Sequence, residues 1–220
     1  HLDCRRQRQM CIRDRFIASC FLVMVIVGSG IMAENLTNDN AIRLLANTIA
    51  TGAGLFVLIT AFANISGAHL NPFVSLSMYL TKRIKGKELL TFIPAQILGC
   101  LLGVMLANVF FEHSIIELST KNRDGFHIFL SEIVATFGLI FIIFATLKDG
   151  KTTVAACVAT YISAGYWFTS STSFANPAVA IARTFTDSFT GINYLNTPTY
   201  IFAELLGAIV AIYIIKRLIK

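Results

Sequence analysis

Six long stretches of the chain are predominantly apolar: about 16–33, 41–63, 89–111, 127–147, 153–169 and 198–215. Each is near the roughly 20 residues that a helix needs to cross the hydrocarbon of a bilayer. Short polar segments separate them: ENLTNDN (34–40), TKRIKGKE (81–88), FEHSIIELSTKNRDG (111–125), KDGK (148–151) and DSFTGINYLNTP (187–198). Two further segments, 64–80 and 170–186, are moderately apolar, too short to span, and centred on an Asn-Pro pair. Each predicts a re-entrant loop that leads into a half-helix.

Three spans plus one half-helix therefore occur twice. PAQILG at 94–99 resembles FAELLG at 202–207, with Gln96 lying 25 residues beyond Asn71 and Glu204 lying 28 beyond Asn176. An odd number of spans per unit inverts the second copy in the membrane, an arrangement found in proteins with a site at the bilayer midplane. The expected fold is an all-α integral membrane protein with six transmembrane helices and two re-entrant half-helices. It is one domain over 16–217, with repeat one at about 16–111 and repeat two at about 127–217.

Composition agrees with a membrane solvent. The chain is 55% hydrophobic and 14% charged, with mean hydropathy +0.70, whereas soluble domains are about 25% charged. Lys82, Arg83, Lys85, Lys87, Lys148, Lys151, Lys216, Arg217 and Lys220 fall on one side of a six-span arrangement. The opposite loops hold only Lys121 and Arg123 beside six carboxylates. Positive charge collects on the cytoplasmic side, so both termini are expected there, in a bacterial inner membrane.

Half of the net charge of +6 comes from residues 1–15, which hold five Arg and two Asp. This segment, HLDCRRQRQMCIRDR, has no apolar period and joins abruptly to the first span. It is read as a non-native N-terminal scar or, failing that, a basic tail, and is set apart from the fold. It is not a signal peptide, because the following apolar run is too long and lacks a small-residue cleavage site. The remaining chain has no basic stripe with interleaved aromatics, so nucleic acid is not an expected partner. The five cysteines form no CxxC or Cys/His cluster, and no metal or cofactor is expected.

The chemistry centres on the Asn-Pro pairs, Asn71-Pro72-Phe73 and Asn176-Pro177-Ala178. Pro suits the first helical position, where its missing N–H would be unpaired anyway. Asn is a strong N-cap. Each pair is thus a helix start, and it is costly in lipid unless it lines a water-filled cavity. Two such starts entering from opposite faces would meet near the midplane. Their side-chain oxygens would cap, their NH2 groups would be free to donate to a passing solute, and their positive ends would repel cations and protons.

These motifs, with the flanks SGAHLNP and FANPAVAIAR, resemble the aquaporin (major intrinsic protein) family along residues 16–217. The resemblance implies a passive channel with a separate pore in each protomer of a homotetramer. This chain departs from the family pattern in four places. Phe73 stands where Ala is usual. Val179 takes the place of an Arg that narrows the outer constriction and adds a fixed charge; Arg183, one turn on, is expected to face another surface. Ala180 stands where glycerol facilitators carry Asp. Arg15 stands where the first span usually holds a buried Glu, whose counterpart in repeat two is Glu132.

By the same resemblance the constriction falls at Thr51, Ser173 and Val179, with a fourth position at Ala164 or Tyr166 depending on the length of the preceding loop. Tyr166 and Trp167 could equally be aromatics of the membrane interface. His69 is expected to bond loop backbone, and Glu132 to accept loop N–H groups. Glu204 is left open between a buried role and snorkelling to the interface. Gly99 and Gly103 are expected to pack helices closely within one protomer. A filter with no charge and two small members would pass water together with metalloid hydroxides such as arsenous acid, glycerol and urea. Bacterial members that share FANPAV are associated with arsenic handling, which supports the metalloid expectation. The alternatives are a water-selective channel with a degenerate filter and, further off, an ion-coupled secondary transporter. The second is disfavoured for lack of an intramembrane carboxylate pair. No nucleophile lies at working distance from a base, so no enzyme is expected.

Overall fold

A computed structural model describes the backbone of residues 2–218 and the side chains of residues 10–218. Its described residues form eight α-helices: α1 Leu2–Leu36, α2 Asn40–Ser66, α3 Pro72–Leu80, α4 Gly86–Phe110, α5 Phe126–Thr146, α6 Lys151–Phe168, α7 Pro177–Ala182 and α8 Thr197–Leu218. The long helices α1, α2, α4, α5, α6 and α8 are the six spans, and α3 and α7 are the half-helices. Five of the six are long and strongly apolar enough to cross a membrane on composition alone. The sixth, α6, has 18 residues and carries hydroxyls at Thr152, Thr153, Thr160, Tyr161, Ser163 and Tyr166.

The interior keeps an apolar core, as in a water-soluble domain, but the surface is apolar as well. Ile49, Val57 and Phe110 are more than 60% exposed, whereas Gln96, Asn108, Glu132 and Glu204 are fully buried. Apolar side chains on the outside suit lipid, and polar ones inside must find partners there.

The segment set apart in the sequence is helical where it is described. α1 runs unbroken from Leu2. The segment contains no Gly or Pro to stop it, and Arg, Gln and Met are good helix formers. The start of α2 is explained by a cap. Asp39 accepts from Ala41 N and Ile42 N at 2.7 and 3.2 Å, opening α2. At the other end Gly67, in the left-handed region at φ 83°, returns its N–H to the Ala63 carbonyl and turns the chain into the first re-entrant loop.

The two repeats pack alike. α1 lies on α4 and α5 lies on α8, while α2 and α6 join the two halves. Gly99 of α4 lies against the Phe16 carbonyl of α1, and Gly207 of α8 lies against the Ile133 carbonyl of α5. Phe16 and Ile133 each follow the matched pair Arg15 and Glu132. Gly103 repeats the contact one turn along, against the Cys20 carbonyl. The GxxxG thus works inside the protomer: without a Cβ, the helix backbones approach closely, which strengthens dispersion contact where lipid offers no hydrophobic drive.

Gly99→Ala or Gly103→Ala would set a methyl group against backbone that cannot rotate away. Each change is expected to cost about 1–3 kcal/mol and to lower the melting midpoint in detergent by several degrees. Gly28→Ala is the control, since its methyl would meet only the Phe111 ring at 3.5 Å. Equal midpoints for all three variants would contradict the close α1–α4 contact.

Candidate functional site

Each half-helix begins as its sequence demands. Asn71 has extended backbone and its Oδ1 accepts from Phe73 N at 2.9 Å, with Pro72 at the first helical position of α3. Asn176 Oδ1 accepts from Ala178 N at 3.1 Å and Val179 N at 3.4 Å, with Pro177 opening α7. The amide nitrogens are not free, as the sequence had suggested. Asn71 Nδ2 donates to the Ala175 carbonyl at 2.6 Å, and Asn176 Nδ2 donates to the Leu70 carbonyl at 2.9 Å. The carbonyl just before each Asn is therefore held by the Asn of the other repeat. An amide nitrogen has two hydrogens, so each side chain keeps one for a solute, and both Asn line the central cavity.

The second re-entrant loop is held by carboxylates. Glu132 Oε1 accepts from Phe174 N at 2.9 Å and Oε2 from Ala175 N at 2.8 Å. Glu204 Oε1 accepts from Asn176 N at 2.9 Å. Glu204 is thus fully buried rather than snorkelling. The two glutamates meet on three successive amides, so an intramembrane carboxylate pair does exist. Neither lines the cavity, which separates this pair from a coupling site facing a solute. The loop needs the support. Thr172, Ser173 and Ala175 hold φ of 65°, 52° and 47°, each costing about 1–3 kcal/mol for a residue with a side chain.

The first loop is tied by donors instead. Arg15 is buried, donates to the Ser66 carbonyl at 2.7 Å, and stacks 3.5 Å from the centre of the Phe92 ring. Gln96 Nε2 donates to the His69 carbonyl and, at 2.9 Å, to Ser75 Oγ. The role expected of the His69 ring is a correction: the ring makes no hydrogen bond to loop backbone among the described residues, and its Nδ1 is buried without a partner. The main-chain carbonyl of His69 is the tied group, and Gln96 does the tying. Phe73 packs on the hydrophobic core beside α3 rather than lining the central cavity.

That cavity, about 80 Å³, is bounded by Asn71 and Asn176 and, further from the termini, by Thr51, Tyr166, Ser173 and Val179. It shares Ala68, Val74, Ile143 and Val158 with a second cavity of about 300 Å³ that opens toward Arg83 and Lys151 on the side of the termini. The two cavities therefore adjoin beside the half-helix starts. Thr51 Oγ1 and the Tyr166 hydroxyl lie 3.1 Å apart. Of the two residues weighed on α6, Tyr166 is inside and Ala164 is exposed. Trp167, 51% exposed, takes the outward position. The Ser173 hydroxyl is buried without a protein partner. The wall otherwise consists of aliphatic side chains such as Leu22, Leu55 and Leu139.

Arg183 was misjudged from sequence. It is buried and lines the same cavity as Val179. Residues four apart share a helix face, and that spacing was the available signal. Arg183 Nε donates to the Thr190 carbonyl, and the guanidinium stacks 3.5 Å from the centre of the Phe174 ring. Arg123, from the 111–125 loop, sits on the same ring at 5.7 Å and donates to the Gly191 and Phe189 carbonyls at 2.9 and 3.0 Å. Burial lowers the Arg123 pKa from its ordinary value, opposed by nearby Tyr200, Tyr166 and Glu132. Nothing in the composition of the loop singled out Arg123.

Glu132→Ala would strip two buried amides of their acceptors, at about 1–3 kcal/mol each. Hydrogen exchange at Phe174 and Ala175 is expected to quicken, and water permeability per folded protein to fall. Unchanged exchange across 172–178 would show that the loop does not depend on this carboxylate.

The major intrinsic protein profile matches residues 6–170. The chain is 47% identical over 199 residues to aquaglyceroporin AqpS of Rhizobium meliloti (strain 1021), covering 90% of this chain and 85% of that protein. It is 27% identical over 209 residues to aquaporin-4 of Rattus norvegicus, covering 91% of this chain and 64% of that one. Its fold matches the X-ray structure of the aquaglyceroporin from Plasmodium falciparum with TM-score 0.77 over 96% of this chain and 97% of that one, at 20% identity. With its paired half-helices, its inverted repeat and a central cavity lined by the Asn of both Asn-Pro starts, the chain belongs to the major intrinsic protein family.

Proposed function

We propose that this passive channel for small neutral solutes carries water together with glycerol, urea and metalloid hydroxides such as arsenous acid. The observation that carries the reading is Val179 at the outer constriction. A short aliphatic side chain leaves open the space that a long cation at that position would take up. Thr51, Ser173 and Tyr166 add hydroxyls within an aliphatic wall. Solutes that combine hydroxyl or amide groups with compact bulk fit such a lining, since pore width and the placement of donors and acceptors set passage. The 47% identity to a protein named an aquaglyceroporin supports the same class.

Thr51, Tyr166, Ser173 and Val179 form the selectivity filter in this reading. Asn71 and Asn176, with Pro72, Phe73, Pro177 and Ala178, form the central half-helix junction. Glu132 supports the second loop, and His69 flanks the first. The channel domain is taken as 16–217, with residues 1–15 set apart from it, and of these Arg15 reaches back to brace the first re-entrant loop. The basic loops place both termini in the cytoplasm of a bacterial inner membrane, and the working assembly is a homotetramer with one pore per protomer. A water-only channel is the second reading, and Tyr166 favours it, because its ring occupies space beside Thr51.

Light-scattering of proteoliposomes under water, glycerol, urea and arsenous acid gradients distinguishes the two. Glycerol and urea flux well above that of protein-free vesicles is expected, and permeation of water alone would sink the wider reading. In Val179→Arg, glycerol and urea flux should fall about tenfold while water falls less. Solute flux identical to the parent would remove Val179 from the constriction.

A further inference from the structure

Position 179 leaves the narrowest region without a charge of its own, yet a fixed cation lies one turn further along. We infer that Arg183 supplies the charge barrier of this channel, displaced from the constriction toward the side away from the termini and built so that its guanidinium faces the solute path. The inference rests on the channel reading above.

Three observations carry it. Arg183 is buried and shares the cavity with Val179, Ser173 and Tyr166. Its position is fixed from two directions, by the Thr190 carbonyl on Nε and by the Phe174 ring beneath its plane. Its two terminal nitrogens have no protein acceptor among the described residues, and neither is shut away from open space. The head of the side chain is thus held by its neck and its face, while the donor end is left for whatever passes.

Among the described residues no carboxylate pairs directly with this charge. The ion pairs among the described residues are His113 with Glu117 and Lys121 with Glu34, and neither involves Arg183. Glu132 acts on it only at a distance, because both of its oxygens accept loop amides. Arg123 adds a second guanidinium on the same ring. A fixed, weakly screened positive charge in a narrow low-dielectric passage repels cations and donates to the oxygens of neutral solutes. Width and charge are then set by separate residues: Val179 opens the passage, and Arg183 keeps cations out of it.

The test uses the full-length protein in proteoliposomes, with a pH-sensitive dye and potassium plus valinomycin to clamp voltage. The readout is the ratio of proton or sodium flux to water permeability. Because the ratio is taken against water, it stays valid even if no larger solute permeates. Arg183→Met is expected to raise the ratio by about tenfold or more, and Arg183→Lys to leave it within about threefold of the parent, since the charge is kept. Adding Val179→Arg to Arg183→Met should bring the ratio back down. If Arg183→Met does not give monodisperse protein, Arg183→Gln, whose amide can still donate to the Thr190 carbonyl, carries the same expectation. A neutral variant that folds and excludes cations as well as the parent overturns the inference. So does a Lys variant that leaks as much as the neutral ones.

Discussion

Everything in this structure depends on satisfying backbone amides at the point where the chain breaks in the middle of a membrane. A helix start exposes N–H groups that have no partner within the helix, and hydrocarbon offers none. The chain meets that requirement with its own side chains. Asn71 and Asn176 cap the half-helices that follow them, and each holds the carbonyl preceding the other. Because each repeat completes the hydrogen bonding of the other, neither half-helix start is independent, and the pore is a property of the pair.

The two loops reach this junction by opposite chemistry. Repeat two uses acceptors: Glu132 and Glu204 take three consecutive N–H groups, and the loop tolerates three side-chain-bearing residues at positive φ. Repeat one uses donors: Arg15 and Gln96 hold the Ser66 and His69 carbonyls, and only Ala68 and Gly67 take positive φ. The loop that carries Ser173 and leads to Val179 is therefore the more tightly specified of the two. Under the proposed filter, the firmer frame lies on the side that carries Ser173 and Val179.

Much of this was legible in the sequence. Apolar length gave the six spans, and Asn-Pro gave both half-helix starts, because those signals are local. The pairing of PAQILG with FAELLG foreshadowed the matched contacts of Gly99 and Gly207, since the same residue types recur at the same offset. What escaped was direction. The sequence does not say that a carbonyl of the opposite repeat takes one hydrogen from each Asn, or that Gln96 rather than the His69 ring ties the first loop. Glu204 could not be placed, because a glutamate near a helix end can reach water as easily as a buried amide. The start of α1 was missed for the reverse reason: a charged segment without apolar period still has good helix propensity when nothing interrupts it.

Arg183 shows how a local rule can be outweighed by an expectation about position. Compared residue by residue, the constriction had lost its cation. Read as a helix, residues 179 and 183 share a face, so a cation one turn along remains in the passage. The displacement matters physically, because a long side chain at the narrowest point must fix both the width and the charge there. Moved outward by a turn, the guanidinium is anchored by the Thr190 carbonyl and the Phe174 ring instead of by the walls of the constriction. The field of a unit charge falls off slowly in a poorly screened neck, whereas steric exclusion acts only where atoms touch. A channel can thus move its charge by one helical turn and keep most of the electrostatic barrier, while changing at once the size of the solute that fits.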